Sequence, residues 1–204
     1  FGEKVSNELR VNYTVIRDER AVPVIAPQVR VNIAGGYSFY GGTERYSGAN
    51  GLNQDVLELT DNVTFFAGKH TVIIGTHNEL FKFSNLFIRD IYGAWEFSNM
   101  DNFEAGIASR YEHSFSNVAS QPYWEAEFPV HQLGFYGGDT WQILPYFNVT
   151  FGIRADIPLM PDNPTANPTV ASTAYPIAGK HVQTDWTATG NILWSPRAGF
   201  NWDV

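Results

Sequence analysis

Apolar and polar residues alternate strictly along three stretches of this chain. From Glu8 to Arg17, Leu9, Val11, Tyr13 and Val15 occupy one face, and Arg10, Asn12 and Thr14 the other. From Phe147 to Asp156, Phe147, Val149, Phe151, Ile153 and Ala155 oppose Asn148, Thr150, Gly152, Arg154 and Asp156. Near the end, Ile192, Trp194, Ala198, Phe200, Trp202 and Val204 oppose Arg197, Gly199, Asn201 and Asp203. A period of two sends successive side chains to opposite faces of a sheet, so each run predicts a strand with one apolar and one polar face. Asp55 to Ala67 reads the same way through Leu57, Leu59, Val63 and Phe65, and turns at Gly68-Lys69-His70 into a strand over Thr71 to Phe81. His131 to Gln142 is joined to Phe147–Asp156 by Ile143-Leu144-Pro145-Tyr146, where proline presets a turn and is excluded from a central strand.

The strand over His131 to Gln142 carries an anomaly. Asp139 shares the face of Leu133, Phe135 and Trp141. Two solutions are open: Asp139 lies near a polar interface, or a bulge at Gly137-Gly138 flips the register.

The other connections are long: Asp18 to Asn53, Ser84 to Phe128, and Ile157 to Asn191. Short turns at one end of the strands alternate with long loops at the other, and runs of about ten alternating residues match a tilted strand crossing a bilayer. The expected fold is all-β: about six antiparallel, up-and-down strands forming part of a large transmembrane β-barrel, with short periplasmic turns and long extracellular loops, in a bacterial outer membrane. Within the loops, Ser98 to Ala105 predicts a short helix with Ser98 as N-cap. Tyr92–Phe97 and Ser109–Ser116 are expected to extend the sheet, and Pro158–Thr169 to be irregular.

Composition sharpens this picture. Aromatic residues are 15% of the 204 and charged residues only 17%, well below the usual quarter, as expected of strands between lipid and water. Trp141, Tyr146 and Trp194 suit interfacial girdles. No stretch is long and apolar enough for a membrane-spanning helix, which excludes a helical membrane protein but not a barrel. A net charge of −8 argues against a nucleic-acid partner. Phe1 is not an initiator methionine and Val204 stands within an alternating run, so the sequence is expected to be a fragment.

Candidate chemistry is sparse. The sequence has no cysteine for a thiol nucleophile, no Gly-x-Ser-x-Gly elbow and no phosphate loop around its paired glycines, so no enzyme and no cofactor are expected. His70, His77, His113, His131 and His181 lack a metal-binding spacing; His77 and Glu79 share a strand face, but a polar barrel lumen accounts for them equally well, and no metal is expected. Asn12, Asn62 and Asn148 begin glycosylation-like triplets inside strands, where chance in a polar face explains them. Loop aromatics Tyr92, Trp95, Tyr123, Trp124, Tyr175 and Trp186 either stack on a ligand or pack the loops together, and packing is the plainer reading. Loop acids such as Asp101, Glu104, Asp162 and Asp185 read as solvated charge rather than calcium ligands.

Several segments carry a family resemblance. Gly75-Thr76-His77-Asn78-Glu79-Leu80-Phe81-Lys82-Phe83 with Asn85-Leu86-Phe87-Ile88, and Asp101-Asn102-Phe103-Glu104-Ala105-Gly106, resemble Oar-like TonB-dependent receptors. Phe135-Tyr136-Gly137-Gly138-Asp139-Thr140-Trp141, Phe151-Gly152-Ile153-Arg154-Ala155-Asp156-Ile157-Pro158 and Ser195-Pro196-Arg197-Ala198-Gly199-Phe200 resemble TonB-dependent barrels more widely. The resemblance implies an active transporter whose loops and lumen capture an extracellular substrate. Its TonB complex would act through a plug that this chain lacks, together with the family's N-terminal domain and closing C-terminal strand. Ligand contacts would come from Tyr92, Trp95, Tyr123, Trp124 and Trp186. Lumen-facing positions would be Arg10, Asn12, Arg154, Asp156, Arg197 and Asn201, for which solvation and wall salt bridges are the plainer role. Competing expectations are a secreted β-sandwich carbohydrate-binding module, which would bury its apolar face internally, and a passive porin.

Overall fold

The structure, a computed structural model, describes residues 2–173 and 182–203; Tyr175, His181 and Val204, named above, lie outside them. The described residues form ten strands: β1 (Val5–Glu19), β2 (Gln28–Asn32), β3 (Ser38–Gly41), β4 (Asn50–Ala67), β5 (His70–Phe87), β6 (Ala94–Phe97), β7 (Arg110–Glu112), β8 (Glu125–Leu144), β9 (Phe147–Leu159) and β10 (Leu193–Trp202). Two five-residue helices accompany them, α1 (Met100–Glu104) and α2 (Pro168–Ser172). The chain divides into two compact units, one of Phe1–Thr14, Asp55–Lys82 and Phe128–Val204, the other of Val15–Gln54 and Phe83–Glu127.

The first unit is built on an up-and-down sheet in the order β1-β4-β5-β8-β9-β10, an open sheet with β1 and β10 at its edges. Two-residue turns at Gly68-Lys69 and Pro145-Tyr146 connect β4 to β5 and β8 to β9. Gly68 takes the positive φ of 64° that the first turn requires. The six strands are those expected from the pattern. Most run longer than the alternation alone marks, because backbone pairing continues where the side-chain code lapses.

Register fixes the faces. Phe135, Gly137, Asp139 and Trp141 pair with Ala155, Ile153, Phe151 and Val149, and these last four pair in turn with Trp194, Pro196, Ala198 and Phe200. Cross-strand partners share a face, so this side is apolar and its large residues stand open: Ile153 is 50% exposed and Phe200 73%. That rules out the β-sandwich alternative, whose apolar face would be interior.

The pairing also settles the position of Asp139. Register runs unbroken across Gly137 and Gly138, so no bulge flips the strand there; the irregularity falls between Gln142 and Leu144. Asp139 stays on the apolar face opposite Phe151, with Oδ2 2.6 Å from His70 Nδ1. The His70 ring stacks on Trp141 at 5.4 Å.

The second unit holds a four-stranded sheet, β3-β2-β6-β7. Tyr92–Phe97 and Ser109–Ser116 were expected to prolong the large sheet; instead β6 and β7 join β2 and β3. The β2–β6 pair is parallel, Gln28 to Ala94 through Val31 to Phe97, and ties together two different long connections. Val31, Ala49, Ala94 and Phe97 form a small buried core. Phe103 of α1 meets Phe97 edge-on at 5.2 Å. Asn99, not Ser98, caps α1: its side chain accepts from the Asn102 N–H at 2.8 Å, while Ser98 Oγ accepts from the Asn102 side chain. In the third long connection α2 forms after Asn167, whose Oδ1 accepts from Thr169 and Val170 N–H groups, so the stretch expected to be irregular ends in a helical turn.

Candidate functional site

Two arrangements concentrate polar chemistry, one in each unit. On the polar face of the large sheet, alternation brings Arg10 and Asn12 (β1), Glu58 and Thr60 (β4), His77 (β5), Tyr136 (β8) and Arg154 (β9) around a cavity of about 340 Å³. Asn12 donates to Glu58 at 2.7 Å, Thr60 Oγ1 lies 2.7 Å from His77 Nδ1, and Tyr136 donates to Asn62 at 2.6 Å. Arg154 Nε reaches both Asp156 oxygens at 2.9 Å while its guanidinium lies 5.5 Å from the Tyr136 ring centre. Glycines make this close layer possible. A Cβ on Gly75 would clash with Asn62 Oδ1 and come within 2.6 Å of the Tyr136 ring, so only hydrogen lets that ring lie across β5.

Arg197 lines a neighbouring cavity of about 400 Å³ with Tyr136, Arg154 and Ser195. It passes over Gly152, whose added Cβ would meet Arg197 Nε at 3.1 Å. Asn201 is exposed on the same face, opposite Asn148. All six residues expected to face a lumen therefore lie on the polar face, and Arg10, Asn12, Arg154 and Arg197 line its cavities. Asn62, one of the three glycosylation-like asparagines, is 9% exposed and occupied by Tyr136.

In the second unit, Asp90 is the hub. Its side chain is fully buried, and it is the only non-glycine with positive φ among the described residues, at 58°. Aspartate is one of the few side chains that tolerates this conformation. Arg45 binds it through two parallel hydrogen bonds of 2.9 and 2.7 Å, and Arg89 Nε forms an ion pair with it at 2.9 Å. Glu112 accepts from Arg45, from Arg89 at 2.9 Å and from Arg110 at 2.7 Å. The hydrogen bond from Arg45 outweighs partial burial and holds the Glu112 carboxyl below its ordinary value; Asp90, and then Glu112, push Arg45 further above its own.

One wall of this network borders a cleft of about 370 Å³, lined among others by Arg30, Tyr40, Glu44, Arg45, Tyr46, Trp95, Glu96, Arg110 and Glu112. Trp95 is 38% exposed there, and its ring meets that of Tyr111 in a tilted contact, centres 4.2 Å apart. The remaining loop aromatics do not converge on it. The Tyr92 hydroxyl donates to Gly48 O at 3.2 Å, and burial, aided by Tyr123, pushes its phenol upward, so Tyr92 packs the unit. Tyr123 and Trp124 are exposed, and Trp186, also exposed, belongs to the first unit. The sequence offered no local signal for Arg45, Asp90 and Glu112, which are 45 and 67 positions apart as paired.

An antiparallel sheet with an open apolar face, a polar face lined by paired charges, and two-residue turns alternating with long connections is the arrangement of an outer-membrane β-barrel wall. Residues 7–204 match the outer membrane beta barrel domain family, and the chain belongs to that family, whose setting is the bacterial outer membrane. No curated protein and no solved structure matches it.

Proposed function

We propose that this chain is barrel wall and loop sheet of a TonB-dependent active transporter similar to the Oar-like subgroup, importing an extracellular substrate without chemically converting it. The observation that carries the reading is the folded loop unit. A passive pore gains nothing from a buried ion network and a built cleft beside it, whereas a receptor needs a rigid recognition surface. The cleft's three arginines and three glutamates balance, and Tyr40, Tyr46 and Trp95 supply rings. It favours a polar ligand of low net charge with a face to stack, and Trp95 is its central contact.

In this reading the open apolar face meets outer-membrane lipid, and Arg10, Asn12, Arg154, Asp156, Arg197 and Asn201 line the lumen. The TonB complex engages the plug region of the parent protein, outside this sequence. The test is conductance of the parent protein, purified from outer membranes, in planar bilayers. A TonB-dependent receptor stays closed until its plug is loosened by denaturant. Steady open conductance without such treatment identifies a passive porin and defeats the proposal.

A further inference from the structure

The spacing of His77 and Glu79 along β5 marks them as a same-face pair and nothing more. The fold adds a third donor from the neighbouring strand. One ligand atom each from Glu58, His77 and Glu79 lie within 4.8 Å of one another, all three side chains half-buried. We propose that these residues form a binding site for a divalent transition-metal ion of the zinc, cobalt or nickel type.

Four features favour a cation there. His77 Nε2 and Glu79 Oε1 are 3.8 Å apart, too far for a hydrogen bond. Two ligands of one ion with bonds near 2.1 Å sit roughly 3.0–3.4 Å apart, so His77 and Glu79 need only a small closure, while Glu58 has up to 4.8 Å to close from. The ring is already oriented: Thr60 Oγ1 lies 2.7 Å from Nδ1, and in the tautomer protonated at Nδ1 it accepts that hydrogen bond and the Nε2 lone pair is left for a metal, the usual arrangement of a ligating histidine. Asn12 holds Glu58 in the same manner at 2.7 Å. The donor set of one imidazole and two carboxylates suits borderline ions and disfavours calcium or magnesium, which prefer oxygen alone.

The surroundings suggest what completes the coordination. Glu58 and His77 border the 340 Å³ cavity, whose other walls include Arg10, Tyr136 and Arg154. Arg154 is engaged by Asp156 and Arg10 lies 3.6 Å from Glu8, so neither charge stands uncompensated against a cation. Both can still face an anionic group on the ion's open side. The site therefore takes a metal with water or a carboxylate-bearing ligand in its remaining positions.

The test uses the full chain folded in detergent micelles, titrated with cobalt(II) and followed by its visible d–d absorption, with zinc(II) as competitor. Saturation at one cobalt per chain, displaced by zinc, is expected. His77→Gln and Glu79→Gln should each weaken binding by more than about 100-fold, beyond what loss of an orienting partner costs, and Thr60→Val by about tenfold. His113→Gln, outside the cluster, should bind as the native chain does. Circular dichroism reports folding of each variant, and Glu58→Gln substitutes for any that fails. Absence of saturable binding at micromolar cobalt, or native affinity in both His77→Gln and Glu79→Gln, overturns the site.

Discussion

The large sheet and the loop sheet solve opposite problems with the same chain. Among the described residues of the large sheet only Gly51, Val56, Asn62 and Gly134 are buried, and Phe, Trp and Ile side chains stand open along β9 and β10. In the loop unit Gln28, Val31, Thr43, Ala49, Asp90, Ala94 and Phe97 are all buried, although its strands are only three to five residues long where they pair with one another. The first unit keeps polar groups on one face and awaits an apolar medium on the other. The second carries its own dry core and an ion network to orient it. Stability in the one depends on solvent, and in the other on a few internal contacts.

The sharpest test of that contrast is Asp90→Ala. It strands Arg45 and Arg89 beside an emptied site, and breaking a buried pair costs about 3–5 kcal/mol, here nearer the lower figure because both arginines reach solvent. Proteolysis within residues 20–54 and 84–124 should accelerate steeply while detergent-bound β-structure, read by circular dichroism, persists. Loss of both together would dissolve the distinction.

Charge placed on the large sheet separates its two faces. Ile153→Arg should cost roughly 2–4 kcal/mol in guanidinium titrations of vesicle-folded protein, the price of a cation at the midplane, whereas Thr150→Arg on the polar face should cost little. Equal effects would mean that the open face is not lipid-facing.

Smaller substitutions probe packing on the polar face. Gly75→Ala drives a methyl into Asn62 and Tyr136 and should destabilise by about 1–3 kcal/mol, while Gly199→Ala, with open space around its Cβ, should be nearly silent. The same titrations measure both.

The gentlest perturbation is pH. Glu112 is more acidic folded than unfolded, so its contribution is fully present above its ordinary value of 4.5 and is lost as pH falls through the depressed value. Trp95 fluorescence, reporting on the loop unit, should change below pH 4.5 and not above it. Glu112→Gln should abolish that step.

The large sheet was legible because period-two alternation is a local code: Leu9 to Val15, or Phe147 to Asp156, states both strand and face within ten residues. The set of polar-face residues followed from the same code, and so did the open question at Asp139, which only cross-strand pairing to Phe151 and contact with His70 could close. The loop sheet was legible only in part: Tyr92–Phe97 and Ser109–Ser116 read as sheet and contain β6 and β7, but their partners did not show. Its strands are too short to show a period, and its hub joins Arg45, Asp90 and Glu112 from separate segments, so nothing within any one window announces it. Glu58 was readable as a polar-face residue; its meeting with His77 and Glu79 required knowing that β4 and β5 pair.

The parallel pairing of β2 with β6 has a kinetic consequence. Joining Gln28 to Ala94 closes a loop that contains the entire β4–β5 hairpin, and closing so long a loop carries an entropic cost that an already formed hairpin reduces. The hairpin should therefore assemble first and the loop sheet last. Amides of β2 and β6 should gain protection from hydrogen exchange in step with each other, after those of β4 and β5, and neither connection should be free to open by itself once they are paired.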